Sequence, residues 1–165
     1  MNKIGTVIRV GIADLNTVRA PDTIRTLGLG SCVGIVIYDE KKQVAGLAHI
    51  LLPDSTATRQ KPVNAYKYAD TAIPYLVERL LQMGAKHSAL QAKIAGGAEM
   101  FKFGSGSDLL RIGRRNVEAT LGGLEKLKIP VIAKDVGGNI GRTIEFNPST
   151  SELNIRKVNR EEIVI

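Results

Sequence analysis

The chain has 165 residues, the size of one compact domain, with 44% hydrophobic and 24% charged residues. Its single cysteine excludes an internal disulfide and favours a reducing compartment, the cytoplasm. The net charge is +7, but the basic residues are scattered and only 4% of residues are aromatic. This pattern favours a solvated basic surface or attraction to an acidic protein partner over binding to nucleic acid. The N-terminal segment has no apolar run long enough for a signal peptide, and no membrane insertion is expected.

Most predicted elements are strands. Runs of apolar and β-branched residues predict them, in chain order, at 6–12, 32–38, 44–52, 90–95, 130–133, 142–146 and 153–158. The charged residues 39–42 predict a turn that joins the second and third runs into a β-hairpin. Two helices are also predicted, so the chain is expected to form one mixed α/β (α+β) domain over residues 1–165.

The first predicted helix has clear start and stop signals. Asn64 is typical of an N-cap, and Gly84 stands where a helix commonly ends. Pro74 lies inside the apolar pattern and predicts a kink or a break near Ile73. The second helix is predicted at about 114–128, with its apolar residues on one inner face.

The predicted hairpin brings the only cysteine close to one of the two histidines. If Glu40 and Lys41 form the centre of the turn, Cys32 and His49 lie directly opposite each other on one face. Cβ atoms at such positions are about 4.5–5.5 Å apart, so the sulfur and the imidazole could meet. A slip of one residue would put them on opposite faces. Both faces of the hairpin are apolar, which predicts a central position in the fold.

A thiol beside an imidazole is a nucleophile beside a base. The imidazole can take the thiol proton and later protonate a leaving amine, and a third group usually holds its other nitrogen. The nearby candidates for this third group are Thr26, Ser31, Asp54 and Ser55. The alternative is that both residues only fill the core, as lone cysteines and histidines on apolar strands often do.

The turn before the cysteine is rich in glycine. Gly30 and Ser31 precede Cys32 directly, and glycine lets the backbone adopt conformations that are closed to other residues. Backbone N–H groups in this turn could therefore form an oxyanion hole.

Other motifs carry less chemistry. The glycines at 96–97 and 104–106 lack the remaining residues of a nucleotide-binding motif. Met100, Phe101 and Phe103 are either an apolar contact for a partner or substrate, or part of the core. One cysteine and two distant histidines offer no compact ligand spacing, so no metal site is predicted.

Several segments together strongly resemble one family, the chemoreceptor glutamine deamidases (CheD). The resemblance covers nearly the whole chain, and L-G-S-C-V followed by A-H is its most specific part. The segments are T-L-G-L-G-S-C-V (26–33), G-L-A-H-I-L-L-P (46–53), A-K-I-A-G-G-A-E-M-F (92–101), I-G-R-R-N (112–116) and D-V-G-G-N-I-G-R-T-I-E-F-N-P-S-T (135–150).

The resemblance implies a cytoplasmic cysteine hydrolase of bacterial chemotaxis that converts glutamines of methyl-accepting chemoreceptors to glutamates. It assigns the nucleophile to Cys32, the base to His49 and the support of the histidine to Thr26. It implies a layered α/β sandwich of mixed sheets with helices packed outside, similar to bacterial deamidating toxins. It also implies hydrolysis of receptor glutamyl methyl esters in some members, a CheC-type phosphatase as a partner, and no cofactor.

A different class of function stays open at this point. The chain could be a non-catalytic regulatory module that binds receptors or a CheC-like phosphatase, with an inert Cys32.

Overall fold

The computed structural model describes residues 4–56, 58–59, 61, 63–100 and 111–165. Within these ranges the chain forms ten strands, two α-helices and one short 3-10 helix. In chain order they are β1 (Val7–Val10), β2 (Asp14–Arg19), β3 (Thr23–Leu29), β4 (Val33–Asp39), β5 (Val44–Ile50), α1 (Ala69–Gln82), the 3-10 helix (His87–Ala89), β6 (Leu90–Gly96), α2 (Ile112–Lys126), β7 (Val131–Val136), β8 (Arg142–Asn147), β9 (Glu152–Lys157) and β10 (Glu162–Val164).

The strands form two five-stranded sheets. Sheet A has the order β1-β3-β8-β9-β10 and sheet B the order β2-β5-β4-β6-β7. Both sheets are mixed, because β1 runs parallel to β3 and β6 parallel to β7 while the other pairs are antiparallel. The expectation of an α+β sandwich of mixed sheets is confirmed.

Two apolar cores divide the fold into three layers. One core joins sheet A to sheet B, and the other joins the opposite face of sheet B to α1 and α2. Sheet B is therefore the middle layer, and every residue of β4 and β5 is buried. Along β4, Val33 and Ile35 lie in the helix-side core while Val36 lies in the core between the sheets. The central position predicted for the hairpin is confirmed.

The predicted register of this hairpin is wrong by two residues. His49 pairs with Gly34, and the ladder ends at Val33 and Ile50, so Cys32 lies just beyond it. The reason is Asp39, which stays in the strand because its buried carboxylate accepts hydrogen bonds from the backbone N–H groups of Lys42 and Lys86, at 3.2 and 3.0 Å. A shift of two residues preserves the face, so Cys32 becomes a diagonal rather than a direct neighbour of His49.

The helix signals are partly confirmed. Helix α1 ends just before Gly84, whose φ is +98°, but it begins at Ala69 and not after Asn64. Asn64 instead accepts a hydrogen bond from the N–H of Tyr66 at 3.0 Å, which closes a local turn. The helix continues through Pro74 without a break, since Pro74 lies on its exposed face where water can solvate the freed carbonyl. No helix in the described ranges has the length and apolarity to cross a membrane.

Candidate active site

The site lies between the two sheets. His49 is fully buried on β5 and alternates with Ala45 and Leu47, which belong to the core between the sheets. Thr26 is buried on β3, in the facing sheet. Its Oγ1 lies 2.7 Å from Nδ1 of His49, so one hydrogen bond connects the two sheets here.

A second hydrogen bond fixes the proton positions. The Thr26 hydroxyl also lies 2.7 Å from the backbone oxygen of Val10, which can only accept. A hydroxyl has one proton, so Thr26 donates it to Val10 and must accept from His49. Neutral His49 therefore carries its proton on Nδ1 and presents a lone pair on Nε2. This Nε2 is buried and has no hydrogen-bond partner among the described residues.

The cysteine lies in a turn that is held by its carbonyl groups. Three successive carbonyl oxygens each accept a hydrogen bond, two from the segment that follows β6 and one from α2. These bonds are Ala98 N–H to Gly30 at 2.8 Å, Asn116 Nδ2–H to Ser31 at 2.9 Å and Gly97 N–H to Cys32 at 2.8 Å. The carbonyl groups of the turn are thus held by two segments, the residues after β6 and helix α2.

Glycine is required where β6 passes this turn. Gly96 has a φ of +110°, and a Cβ at this position would overlap the carbonyl oxygen of Cys32. Both the backbone conformation and the close approach therefore exclude larger residues. The glycines at 96–97, which the sequence analysis rejected as a nucleotide-binding motif, instead pack against and bond to the turn that carries Cys32.

The N–H groups of Ser31 and Cys32 are the candidate donors for an oxyanion hole. In the described part of the chain, neither Ser31 nor Cys32 donates its N–H to a backbone carbonyl outside the sheet ladders. A negative oxygen formed next to the Cys32 sulfur would find these donors close by.

Burial keeps both candidate groups neutral. Desolvation raises the pKa of Cys32, and the hydrogen bond from its own N–H only partly opposes this. Desolvation also lowers the pKa of His49 from 6.5 to about 4. At neutral pH these shifts favour a thiol at Cys32 and a neutral imidazole at His49 in the free protein.

The remaining candidates from the sequence have different surroundings. Met100 is half exposed and lies against the turn, since a Cβ on Gly30 would be 3.2 Å from its Cγ. Phe101 and Phe103 lie outside the described residues. Asp54 and Ser55 bond elsewhere, to Thr56 and Asp70 respectively. No three His, Cys, Asp or Glu residues of the described ranges are grouped as metal ligands.

The fold is an α+β sandwich in which Thr26 and His49 are hydrogen-bonded between the sheets and Cys32 lies just beyond the end of β4, diagonal to His49. A thiol, an imidazole and a supporting hydroxyl are the residue types that thiol hydrolases use. The comparisons with known proteins give the family. Residues 51–157 match the family model described as CheD chemotactic sensory transduction. The chain belongs to the CheD family.

Curated relatives match almost the whole chain. The probable chemoreceptor glutamine deamidase CheD of Oceanobacillus iheyensis is 58% identical over 97% of this chain and 96% of its own length. The chemoreceptor glutamine deamidases CheD of Halalkalibacterium halodurans and Bacillus subtilis are 57% and 54% identical, over 94% and 96% of this chain and 96% of their own lengths. The family-model match begins after His49, so it is these longer matches that extend over the candidate site.

Proposed function

We propose that this chain is a cytoplasmic deamidase that converts glutamine side chains of chemoreceptors to glutamate, with Cys32 as nucleophile and His49 as base. The names of the relatives support the reaction and the substrate. The observation that carries the roles of the residues is the unpartnered Nε2 of His49, which Thr26 leaves as a lone pair in a buried site.

In the first half-reaction the Cys32 sulfur attacks the carboxamide carbon while His49 Nε2 takes the thiol proton. The amide oxygen becomes an oxyanion, which the N–H groups of Ser31 and Cys32 stabilise. The imidazolium then gives its proton to the amide nitrogen, the C–N bond breaks, and ammonia leaves a glutamyl thioester. Because both groups begin neutral, proton transfer accompanies the attack.

In the second half-reaction water attacks the thioester carbon as His49 Nε2 takes one of its protons. The C–S bond breaks, and the imidazolium returns a proton to the sulfur. Glutamate and free enzyme result. Throughout, Thr26 accepts the Nδ1–H bond, which keeps the ring oriented and stabilises the imidazolium. The same groups would hydrolyse a glutamyl methyl ester with methanol as the leaving group.

The surface charge suits this substrate. The chain carries a net charge of +7, and the family resemblance implies acidic receptor helices. Electrostatic attraction would speed their encounter and would weaken as salt is added. The resemblance also supports a CheC-type phosphatase as a second protein partner.

Peptide mapping by mass spectrometry tests the proposal on a receptor cytoplasmic fragment. The wild-type chain should convert selected glutamines to glutamate in heavy-oxygen water, with one heavy oxygen in each new carboxylate. Cys32→Ala removes only the thiol and should abolish the conversion, with its circular dichroism spectrum unchanged. Deamidation by the folded alanine variant would exclude Cys32 as the nucleophile.

One observation favours a second function, a non-catalytic regulator that binds receptors or a CheC-like phosphatase. Burial raises the pKa of Cys32, and an inert thiol would share this property. A regulator would bind the receptor fragment equally well as wild type and as Cys32→Ala, and would leave every glutamine unchanged.

A further inference from the structure

A single buried amide connects the two halves of the site. Asn116 lies in the second turn of α2, fully buried, and its Nδ2 donates to the carbonyl of Ser31 at 2.9 Å and to that of Leu51 at 3.0 Å. Ser31 immediately precedes Cys32, and Leu51 follows His49 by two residues. Each of the two amide protons thus binds a segment that carries one of the reacting groups.

The position of these bonds explains why a side chain is needed there. The β4–β5 ladder ends with the pair Val33 and Ile50, so Ser31 and Leu51 lie where the strands separate. Beyond this point no ladder hydrogen bond fixes the distance between the two chains. Asn116 replaces the missing ladder with two bonds from one rigid, planar group.

We propose that Asn116 is a positioning residue that sets the distance between Cys32 and the Nε2 of His49. This inference rests on the proposed roles of those two residues. Asn116 contacts backbone carbonyls and not the reacting atoms, so it acts through the segments that it joins. A displacement of about 1 Å between a nucleophile and its base can lower a rate by about 10²-fold.

The chemistry of the amide allows a graded test. Asp at position 116 has nearly the same shape but no donor in its ionised form, and it would set carboxylate oxygens against two carbonyl oxygens. Ser offers one donor in place of two. Thr120 provides a matched control, because it lies one turn further along α2, is fully buried, and its hydroxyl has no partner among the described residues. Thr120→Val therefore removes a buried polar group from the same helix without removing a hydrogen bond to either segment.

The decisive readout is the split between kcat and KM on a receptor fragment, measured well below the melting temperature of each variant. Asn116→Asp should lower kcat by about 10²-fold with KM nearly unchanged, and Asn116→Ser should give an intermediate loss. Thr120→Val should keep the wild-type kcat. If Asn116→Asp does not fold, the Ser variant decides the question. A kcat within about threefold of wild type in a folded Asn116 variant would overturn the proposal.

A second readout separates this inference from the proposed function. Alkylation of Cys32 by iodoacetamide at neutral pH needs no receptor, but it needs a base near the neutral thiol. The Asn116 variants should slow it about as much as His49→Asn does, while Thr120→Val should not. If the wild type leaves receptors unmodified yet shows this pattern, the proposed function fails and the positioning role stands. Alkylation at the wild-type rate in the folded Asn116 variants would refute the positioning role.

Discussion

The neutral, buried imidazole of His49 should make the stability of this protein depend on pH. Burial lowers the pKa of His49 from 6.5 to about 4 in the folded chain, whereas the unfolded chain exposes the ring to water. Between these values the unfolded state binds the extra proton and the folded state does not. The contribution of the neutral ring is therefore fully present above the unfolded pKa and is lost as the pH falls towards 4.

The depression from 6.5 to about 4 corresponds to about 3 kcal/mol of folding free energy. About 2 kcal/mol of this should disappear between pH 7 and pH 4.5. For a domain of this size that amounts to roughly 1 M in the urea midpoint. Other groups titrate in this range too, so the prediction concerns the difference between wild type and His49→Asn, which keeps a donor near the position of Nδ1.

Urea unfolding at the two pH values, followed by circular dichroism, measures this difference. The midpoint of His49→Asn should fall by roughly 1 M less than that of wild type when the pH is lowered. His87→Asn is the matched control, because His87 is the other histidine of the chain and is exposed. The urea midpoint of His87→Asn should fall by as much as that of wild type when the pH is lowered. An identical loss in wild type and His49→Asn would show that His49 is not held neutral by burial.

Two further changes probe the support of the site. Thr26→Val should lower kcat about 10- to 100-fold, because no acceptor then holds the Nδ1 proton of His49. Thr26→Ser keeps the hydroxyl and should retain most of the activity. Equal activity in both variants would contradict the assignment of the His49 proton to Nδ1. Gly96→Ala should cost about 1–3 kcal/mol in thermal unfolding and reduce activity, because its positive φ and the Cys32 carbonyl leave no room for a methyl group. Gly122→Ala on α2 is the control, because a Cβ at this position meets no atom within 4 Å and should stabilise the protein by about 0.4–1 kcal/mol. An equal loss of stability in both glycine variants would refute the close approach at Gly96.

The hairpin shows what local pattern can predict. Apolar alternation correctly predicted which residues lie on each face of the hairpin. The predicted register was wrong by two residues, but Cys32 and His49 were still correctly placed on one face because side chains alternate with period two. The register itself depends on Asp39, which appears in the sequence as a turn residue. Its carboxylate is buried only because the N–H of Lys86, 47 residues away, reaches it. Such a contact has no local signal.

The strand that carries Thr26 was not predicted from periodicity. Strand β3 faces solvent on one side, where Arg25 lies 4.0 Å from Glu145, so its pattern is half polar. Strand β2 is an edge strand of sheet B that buries only Leu15 and Val18, one on each face, so its pattern is also largely polar. The approach of Thr26 to His49 joins two sheets, so hairpin geometry could not reveal it, and only the family resemblance pointed to that residue.

Asn116 lay within a segment of the family resemblance, but its role had no signal in the sequence. An asparagine in a helix is usually exposed, and this one is buried because α2 crosses the end of the β4–β5 ladder. Only the packing of the helix against sheet B brings its amide to two unpaired carbonyls.

Trapping of the acyl-enzyme tests the central claim most directly. A receptor fragment is incubated with the chain in the presence of hydroxylamine, which intercepts a glutamyl thioester more readily than water does. We expect glutamyl hydroxamate at the glutamines that are otherwise deamidated, and no product from Cys32→Ala. Glutamate without hydroxamate, or hydroxamate formed by the folded alanine variant, would contradict a thioester on Cys32.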